Sequence, residues 1–262
     1  MSKIVVAAAQ IRSTPDLDDN LRQALDAITL AAQRGARIVV LPEATSTSFA
    51  INPAKGAQPL DGPFASAIRQ AAAAAGVTVI VGLFEPAADG RVHNTLLVTG
   101  PGVEASYRKV HLFDAFDTVE SDTVAAGAGF VVVDIEGVKV GLATCYDVRV
   151  AAQFTALGRM GAEVIALPAS WADGPGKVEQ WQLLTRARAA DAQAYLVAAG
   201  QAHQESPKPL GVGHSAVIDP VGRVVSSLGP GPDVLVQEIE LDRVAQTRAQ
   251  IPILSWEEEN DG

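Results

Sequence analysis

Short apolar runs alternate with amphipathic segments along nearly the whole chain, and this order limits the fold more than any other feature. Residues 3–10 are typical of a buried strand, whereas residues 16–33 place apolar side chains at helical spacing. The Glu136-Gly137 pair between two apolar runs is a hairpin signal, so parallel and antiparallel pairing should occur together. About a dozen strands are too many for one ordinary sheet. We therefore predict an α/β fold in which two mixed sheets pack face to face, with helices outside them.

The length and composition fit a large aliphatic core. The chain has 262 residues, of which 48% are hydrophobic but only 5% aromatic, so small aliphatic side chains must fill the interior. No Ser/Gly/Pro-rich spacer, repeat or long charge run divides the sequence, which favours a single domain over residues 1–262. The tail from about residue 257 is acidic, and we expect it to fray.

The charge and the cysteine content argue against several classes of protein. A formal net charge of −10 is wrong for a nucleic-acid surface, which needs clustered Lys and Arg. A single cysteine rules out an internal disulfide framework and suits a reducing compartment. The N-terminus lacks the long apolar core of a signal peptide, and no apolar run approaches the roughly 20 residues of a membrane span. The sequence therefore predicts a soluble cytoplasmic protein without membrane or nucleic-acid partners.

The single cysteine, Cys145, directly follows the apolar run 138–144 and precedes a helical pattern over residues 150–160. A strand, a sharp turn and a helix in this order is where an α/β fold presents a nucleophile. The positive end of the following helix should favour the thiolate and so lower the pKa of the thiol. The alternative is a buried, inert cysteine.

A cysteine hydrolase also needs a proton acceptor and positive charge near the developing oxyanion. None of the four histidines has a spacing that ties it to Cys145, although spacing does not exclude a spatial pair. Glu43 follows an apolar run and Lys109 ends another predicted strand, so both could meet Cys145 at one rim of the paired sheets. Taken singly, each charge could instead be a solvated residue at a strand end.

Three local sequences together resemble the nitrilase superfamily of carbon–nitrogen hydrolases. They are residues 41–43 (LPE), residues 107–114 (YRKVHLFD) and residues 145–149 (CYDVR), and they occur in the order of the family. The resemblance extends from Ile4 to about Ile253. It implies a four-layer α-β-β-α sandwich, which agrees with the layering predicted above.

The same resemblance implies which residues form the site. The triad is Glu43, Lys109 and Cys145, and a second glutamate of the family matches Glu120. Asn94 is a weaker match, interpreted as structural. In the implied mechanism Glu43 takes the thiol proton, Cys145 attacks an amide carbonyl, and water later hydrolyses the thioester. Lys109 and the backbone N–H of Tyr146 stabilise the oxyanion, while Glu120 holds Lys109 or the substrate. No metal and no cofactor are implied.

The residues after the cysteine indicate the amidase side of the superfamily. Tyr146-Asp147 stands where true nitrilases place Trp-Glu, and the segment is similar to omega-amidases and deaminated glutathione amidases. Arg149 is the candidate for holding a substrate carboxylate, because a guanidinium fork suits one; a structural ion pair is the alternative. Trp171 is predicted to form a pocket wall, with plain core packing as the alternative.

Because of two departures from the family pattern, the resemblance does not identify the substrate. Val150-Ala151-Ala152 replaces Phe-Pro-Glu, and Pro175-Gly176 replaces Thr-Gly. Three readings therefore compete. The first is an amidase acting on small carboxylate-bearing amides, and the second is a related enzyme acting on N-carbamoyl compounds or aliphatic amides. The third is a catalytically idle scaffold. The resemblance also implies a homodimer or a higher homo-oligomer, with helices packed across a two-fold axis.

Overall fold

The computed structural model describes residues 3–205 and 210–255, and the acidic tail predicted from residue 257 lies outside them. The strands are β1 (Lys3–Gln10), β2 (Ile38–Val40), β3 (Thr78–Pro86), β4 (Val92–Gly100), β5 (Val103–Arg108), β6 (Asp114–Ala115), β7 (Thr118–Val119), β8 (Val131–Ile135), β9 (Val138–Leu142), β10 (Val164–Ala169), β11 (Tyr195–Gly200), β12 (Ala216–Ile218), β13 (Val224–Ser227) and β14 (Asp233–Glu240). The α-helices are α1 (Leu17–Gln33), α2 (Pro63–Ala75), α3 (Ala151–Arg159), α4 (Lys177–Ala192) and α5 (Asp242–Gln250).

Two six-stranded mixed sheets form the framework of the fold. The first sheet has the order β14-β1-β2-β3-β4-β5, in which β1, β2 and β3 are parallel and the other neighbours are antiparallel. The second has the order β13-β12-β11-β10-β9-β8, with β9, β10 and β11 parallel. The short strands β6 and β7 form a separate hairpin. The predicted mixture of parallel and antiparallel pairing is confirmed.

Alternate residues of each strand face different layers, because successive side chains of a strand point to opposite faces. Ile38 and Val40 of β2 belong to the same buried cluster as Val140 and Leu142 of β9, which fills the space between the sheets. Val39 instead belongs to a cluster shared with α1 and α2. A third cluster joins the second sheet to α3 and α4. The layers are therefore α-β-β-α, as the resemblance implied.

The ends of α2 show how local sequence sets these elements. Pro63 occupies the first turn, where its missing N–H leaves no helical hydrogen bond unmade, and Gly76 ends the helix at φ +66°. Both end signals are visible in the sequence itself. Within residues 3–205 and 210–255, no helix is long and apolar enough to cross a membrane.

Candidate active site

The loops that carry the predicted residues leave the two sheets at the same rim. Glu43 follows β2 and Lys109 follows β5, both in the first sheet, while Cys145 follows β9 in the second. The chain reverses at β4, so β5 runs in the same direction as β2 and both carboxyl ends reach one edge. The predicted meeting of these strand ends is confirmed.

The ammonium group of Lys109 lies between two glutamates. Its Nζ donates to Glu43 Oε1 at 3.1 Å, and to Glu120 Oε1 and Oε2 at 3.1 and 2.9 Å. Lys109 is only 2% exposed and Glu43 only 1%, so neither charge is a solvated residue at a strand end. Removing one partner from such a group leaves an uncompensated buried charge, which is costly. The proximity expected from the resemblance is observed, whereas the catalytic roles stay predictions.

Cys145 stands in a strained turn. It begins the 3₁₀ turn Cys145–Arg149 with φ +46°, a left-handed conformation that residues other than glycine adopt rarely. A buried carboxylate stabilises this turn: Asp147 Oδ2 accepts from the N–H of Thr144 at 2.8 Å, and its Oδ1 accepts from the N–H of His111 at 3.0 Å. Asp147 thereby ties the cysteine turn to the loop that follows β5.

The surroundings of Cys145 decide the protonation state of its thiol. Burial, followed by the negative charge of Glu43, raises the pKa of the thiol well above its usual range, although the charge of Lys109 opposes this. The prediction that a helix end lowers this pKa is therefore wrong. Only a short 3₁₀ turn begins at the cysteine, and α3 starts later at Ala151, so desolvation outweighs any helix dipole. The thiol donates to the backbone oxygen of Ser170, with Sγ and O 3.8 Å apart, and the Glu43 carboxylate is close enough to raise its pKa. Glu43 is therefore the candidate base for the thiol proton.

Lys109 keeps its charge in the same pocket. Burial by itself lowers the pKa of this ammonium, but the charges of Glu43 and Glu120 raise it well above its usual value. A cation held in a site that excludes water stabilises a developing negative charge far more strongly than it would in water.

The Glu43 carboxylate is held from both sides. Nδ2 of Asn94 donates to Oε1 at 2.7 Å, and the backbone N–H of Ser170 donates to Oε2 at 2.8 Å. Gly82 on the neighbouring strand allows the backbones to approach, because a Cβ there would lie 2.6 Å from Pro42 O and from the Glu43 Cα. Asn94, interpreted from sequence as structural, is thus in direct contact with a predicted catalytic group.

A cavity of about 360 Å³ opens above these groups, a size typical of small-molecule sites. Glu43, Lys109, Glu120 and Cys145 all line it. Its other side is largely apolar and aromatic, formed by Phe49, Pro53, Phe113, Val119, Tyr146, Trp171 and Leu210. In the described part of the chain no histidine lines the cavity, so a Cys–His pair has no support there.

Arg149 and Trp171 both line the cavity, as predicted. The guanidinium carbon of Arg149 lies 4.8 Å from the centroid of the Trp171 ring, and its Nη2 donates to Gln180 Oε1 at 2.9 Å. No carboxylate pairs with Arg149 among residues 3–205 and 210–255, so the alternative of a structural ion pair has no support. Arg149 ends the 3₁₀ turn, and α3 begins only at Ala151.

Comparison with known proteins is consistent with this geometry. The family model for carbon-nitrogen hydrolases matches residues 5–249. The chain belongs to this family. The carbon–nitrogen hydrolase described here is 48% identical over 262 residues to a protein named only as a hydrolase from Mycobacterium tuberculosis, a match that covers 95% of this chain and 94% of the relative.

Two further relatives of this carbon–nitrogen hydrolase carry names that state an activity. A deaminated glutathione amidase of Escherichia coli O157:H7 is 35% identical over 257 residues, covering 96% of each chain. An omega-amidase of Xenopus laevis is 34% identical over 261 residues, covering 97% of this chain and 94% of the relative. The protein is therefore an amidase-type carbon–nitrogen hydrolase.

Solved structures confirm the fold. Saccharomyces cerevisiae Nit3, a member of the nitrilase superfamily, superposes with a TM-score of 0.86 at 26% identity, covering 97% of this chain and 96% of the other. The Caenorhabditis elegans NitFhit protein superposes with a TM-score of 0.90 at 29% identity; the match covers 98% of this chain but 65% of that one. The predicted membership of the nitrilase superfamily is thereby confirmed.

Sequence reasoning missed one charged residue of the cavity. Lys177, at the start of α4, lines the cavity together with Arg149 and Trp171. No motif marked it, and a charge at a helix start is usually a solvated surface residue. A possible signal was its position just after Pro175-Gly176, where the chain departs from the family pattern.

Proposed function

We propose that this enzyme hydrolyses a small carboxylate-bearing amide through a thioester acyl-enzyme formed on Cys145. The observation that carries the proposal is that Cys145, Lys109 and Glu43 line one cavity of substrate size, in which the Lys109 ammonium pairs with the Glu43 carboxylate. The names of the two amidase relatives support a substrate of this kind. Glu120 and Lys109 are in place as well, which argues against an idle scaffold.

The first chemical step is a proton transfer coupled to nucleophilic attack. Because burial raises the pKa of the Cys145 thiol, the sulfur is protonated at rest and needs a base. Glu43 adjoins the thiol and accepts its proton while Sγ attacks the amide carbonyl carbon. The contacts of Glu43 with Asn94 and Ser170 keep the carboxylate oriented throughout this step.

The negative charge that forms on the carbonyl oxygen requires stabilisation. The Lys109 ammonium provides a full positive charge, and the backbone N–H of Tyr146, next to the nucleophile, provides a hydrogen-bond donor. Glu120 contacts Lys109 through both carboxylate oxygens and so keeps the ammonium from moving away from the reacting centre. Glu120 is thus a positioning residue in this proposal.

The second half of the reaction releases the acyl group. The tetrahedral intermediate expels ammonia or an amine, which takes the proton held by Glu43, and a thioester to Cys145 remains. Water then gives a proton to Glu43 and attacks the thioester carbonyl, and the returning proton restores the thiol. We place the reaction in the cytoplasm, because a catalytic thiol has to stay reduced.

Arg149 is the group that we propose for a carboxylate of the substrate. It lines the cavity, has no carboxylate partner in the described residues, and a guanidinium can bind a carboxylate through two parallel hydrogen bonds. Long-range electrostatics do not attract the substrate carboxylate, since the net charge of −10 repels an anion. A nearby cation such as Arg149 therefore has to provide the attraction.

The test compares acidic with neutral amides. Arg149→Gln should raise KM for dicarboxylic acid monoamides by more than about tenfold, or about 1.4 kcal/mol, and affect neutral amides far less. Arg149→Lys should restore only part of the loss, because an ammonium lacks the guanidinium fork. Arg22→Gln is the matched control, because Arg22 is 64% exposed and lies outside the cavity lining. Equal losses on acidic and neutral amides would show that Arg149 is structural.

A further inference from the structure

Lys177 is a second cation of the cavity wall that the proposed mechanism does not use. It is the first residue of α4, and its Nζ lies 4.6 Å from the centroid of the Phe116 ring and 5.9 Å from that of Trp171. Phe116 is 73% exposed, so Lys177 lies near the solvent-facing side of the cavity. The reacting sulfur of Cys145, in contrast, is buried.

The position of Lys177 is unfavourable for a lysine. The N-terminal end of a helix carries partial positive charge, which repels a cation in the first turn. Burial, followed by the charge of Arg149, lowers the pKa of Lys177 below its usual value. In residues 3–205 and 210–255 no carboxylate pairs with it. Among the described residues only contacts with aromatic rings offset these costs, and a poorly compensated charge of this kind is typical of functional positions.

The charges that line the cavity are not balanced. Three cations, Lys109, Arg149 and Lys177, face two carboxylates, Glu43 and Glu120. Both carboxylates already pair with Lys109, so the other two cations have no carboxylate partner among the described residues. In addition, Nε of Arg149 is buried without a hydrogen-bond partner.

The two cations without a carboxylate partner both lie near one aromatic ring. Arg149 lies 4.8 Å and Lys177 5.9 Å from the centroid of Trp171. Because both distances are measured to one centroid, the separation of the two charges cannot exceed their sum, a span that one small molecule can bridge. The mutual repulsion of the two cations falls when anions bind to them. A contact with an aromatic face is weak compared with a charge-assisted hydrogen bond, so a carboxylate would displace Lys177 from Phe116.

We propose that Lys177 is a specificity-determining residue that binds a second anionic group, so that the site selects amides with two separated carboxylates. This inference rests on the proposed function, in which Arg149 binds the first carboxylate. It assigns to Lys177 the discrimination between dianionic and monoanionic amides, and not the chemistry at Cys145.

The experiment uses three amides: a dicarboxylic acid monoamide, its N-carboxymethyl derivative, and the monoamide of a tricarboxylic acid. The second and third carry an additional carboxylate on the amine side and on the acyl side respectively. For each enzyme variant, the measured quantity is the ratio of kcat/KM for a dianionic amide to kcat/KM for the monoanionic one.

Lys177→Met removes the charge and keeps a side chain of similar length. We expect this ratio to fall by about tenfold or more for at least one dianionic amide, chiefly through KM, and Lys177→Arg to retain most of it. Lys139→Met is the matched control, because Lys139 is exposed on β9 and does not line the cavity. It removes the same charge and should leave the ratio unchanged. An unchanged ratio in Lys177→Met for both dianionic amides would overturn the inference.

Calorimetric binding of the same amides to Cys145→Ala protein separates this inference from the proposed function. If the unmodified enzyme releases no amine from any of the amides, the proposed function fails. The inference still stands in that case if dianionic amides bind more tightly than the monoanionic one and Lys177→Met removes the difference. It falls if no such difference in binding exists.

Discussion

Replacing Lys109 by methionine tests the energetics of the buried charges most directly. One cation neutralises two carboxylates, Glu43 and Glu120, at distances of 2.9 to 3.1 Å, and all three groups are buried. Removing one partner of a buried pair typically costs about 3–5 kcal/mol. Two carboxylates lose their counterion here, so we expect the free energy of unfolding at pH 7 to fall by about 5 kcal/mol, the upper end of that range.

The loss should depend on pH in a definite direction. In Lys109→Met, desolvation and mutual repulsion keep a proton on at least one of the two carboxyls in the folded state, so its folded pKa lies above its unfolded pKa. The folded protein then binds more protons than the unfolded chain, and stability decreases as pH rises, by about 1.4 kcal/mol per pH unit per proton. In the unmodified protein the raised pKa of Lys109 makes its contribution constant over pH 5–8, because it is lost only above the usual value of 10.5.

Urea unfolding of both proteins, followed by circular dichroism at pH 5, 6, 7 and 8, measures this difference. Lys109→Met with Glu120→Gln removes one of the stranded carboxylates and should recover part of the stability and most of the slope. Lys139→Met, at an exposed position, controls for the loss of a lysine. A loss below about 1 kcal/mol that does not change with pH would refute the reasoning, since it would mean that water screens these charges.

Two further predictions concern the nucleophile and the assembly. Cys145→Ser should abolish turnover and leave the unfolding transition in place. The rate of iodoacetamide labelling of Cys145 should rise with pH without levelling off below pH 9, because the pKa of the thiol is raised. A plateau of the labelling rate near pH 7 would contradict the effect of burial. In solution we expect a dimer, because Leu183 and Met160 expose apolar side chains on the outer helical layer. Sedimentation should show a species heavier than the 27.2 kDa chain, and Leu183→Glu should convert this species to the monomer. If the unmodified protein sediments as a 27.2 kDa monomer at micromolar concentration, the dimer is ruled out.

Sequence patterns predicted the large elements well, because their signals are local. The span of α2 follows from Pro63 and Gly76, and β1 follows from one uninterrupted apolar run. The hairpin of β6 and β7 went unpredicted, because strands of two residues show no periodicity.

The site was predictable only in part, for a physical reason. The motifs around Glu43, Lys109 and Cys145 are contiguous in sequence, so a family resemblance could indicate them. The sign of the pKa shift at Cys145 was not predictable in the same way, since it depends on burial and on charges from distant segments. Lys177 escaped notice for a similar reason: its contacts with Phe116 and Trp171 exist only after folding.

The division of the site between the sheets has a consequence for how activity is acquired. The proposed base, Glu43, and the proposed oxyanion cation, Lys109, belong to loops of the first sheet, whereas the sulfur of Cys145 belongs to a loop of the second. A half-folded chain with only one sheet in place therefore has either an acceptor without a nucleophile or a nucleophile without an acceptor. If the proposed roles hold, amide cleavage requires the interior between Val40 and Val140 to close, so turnover reports on the docking of the two halves.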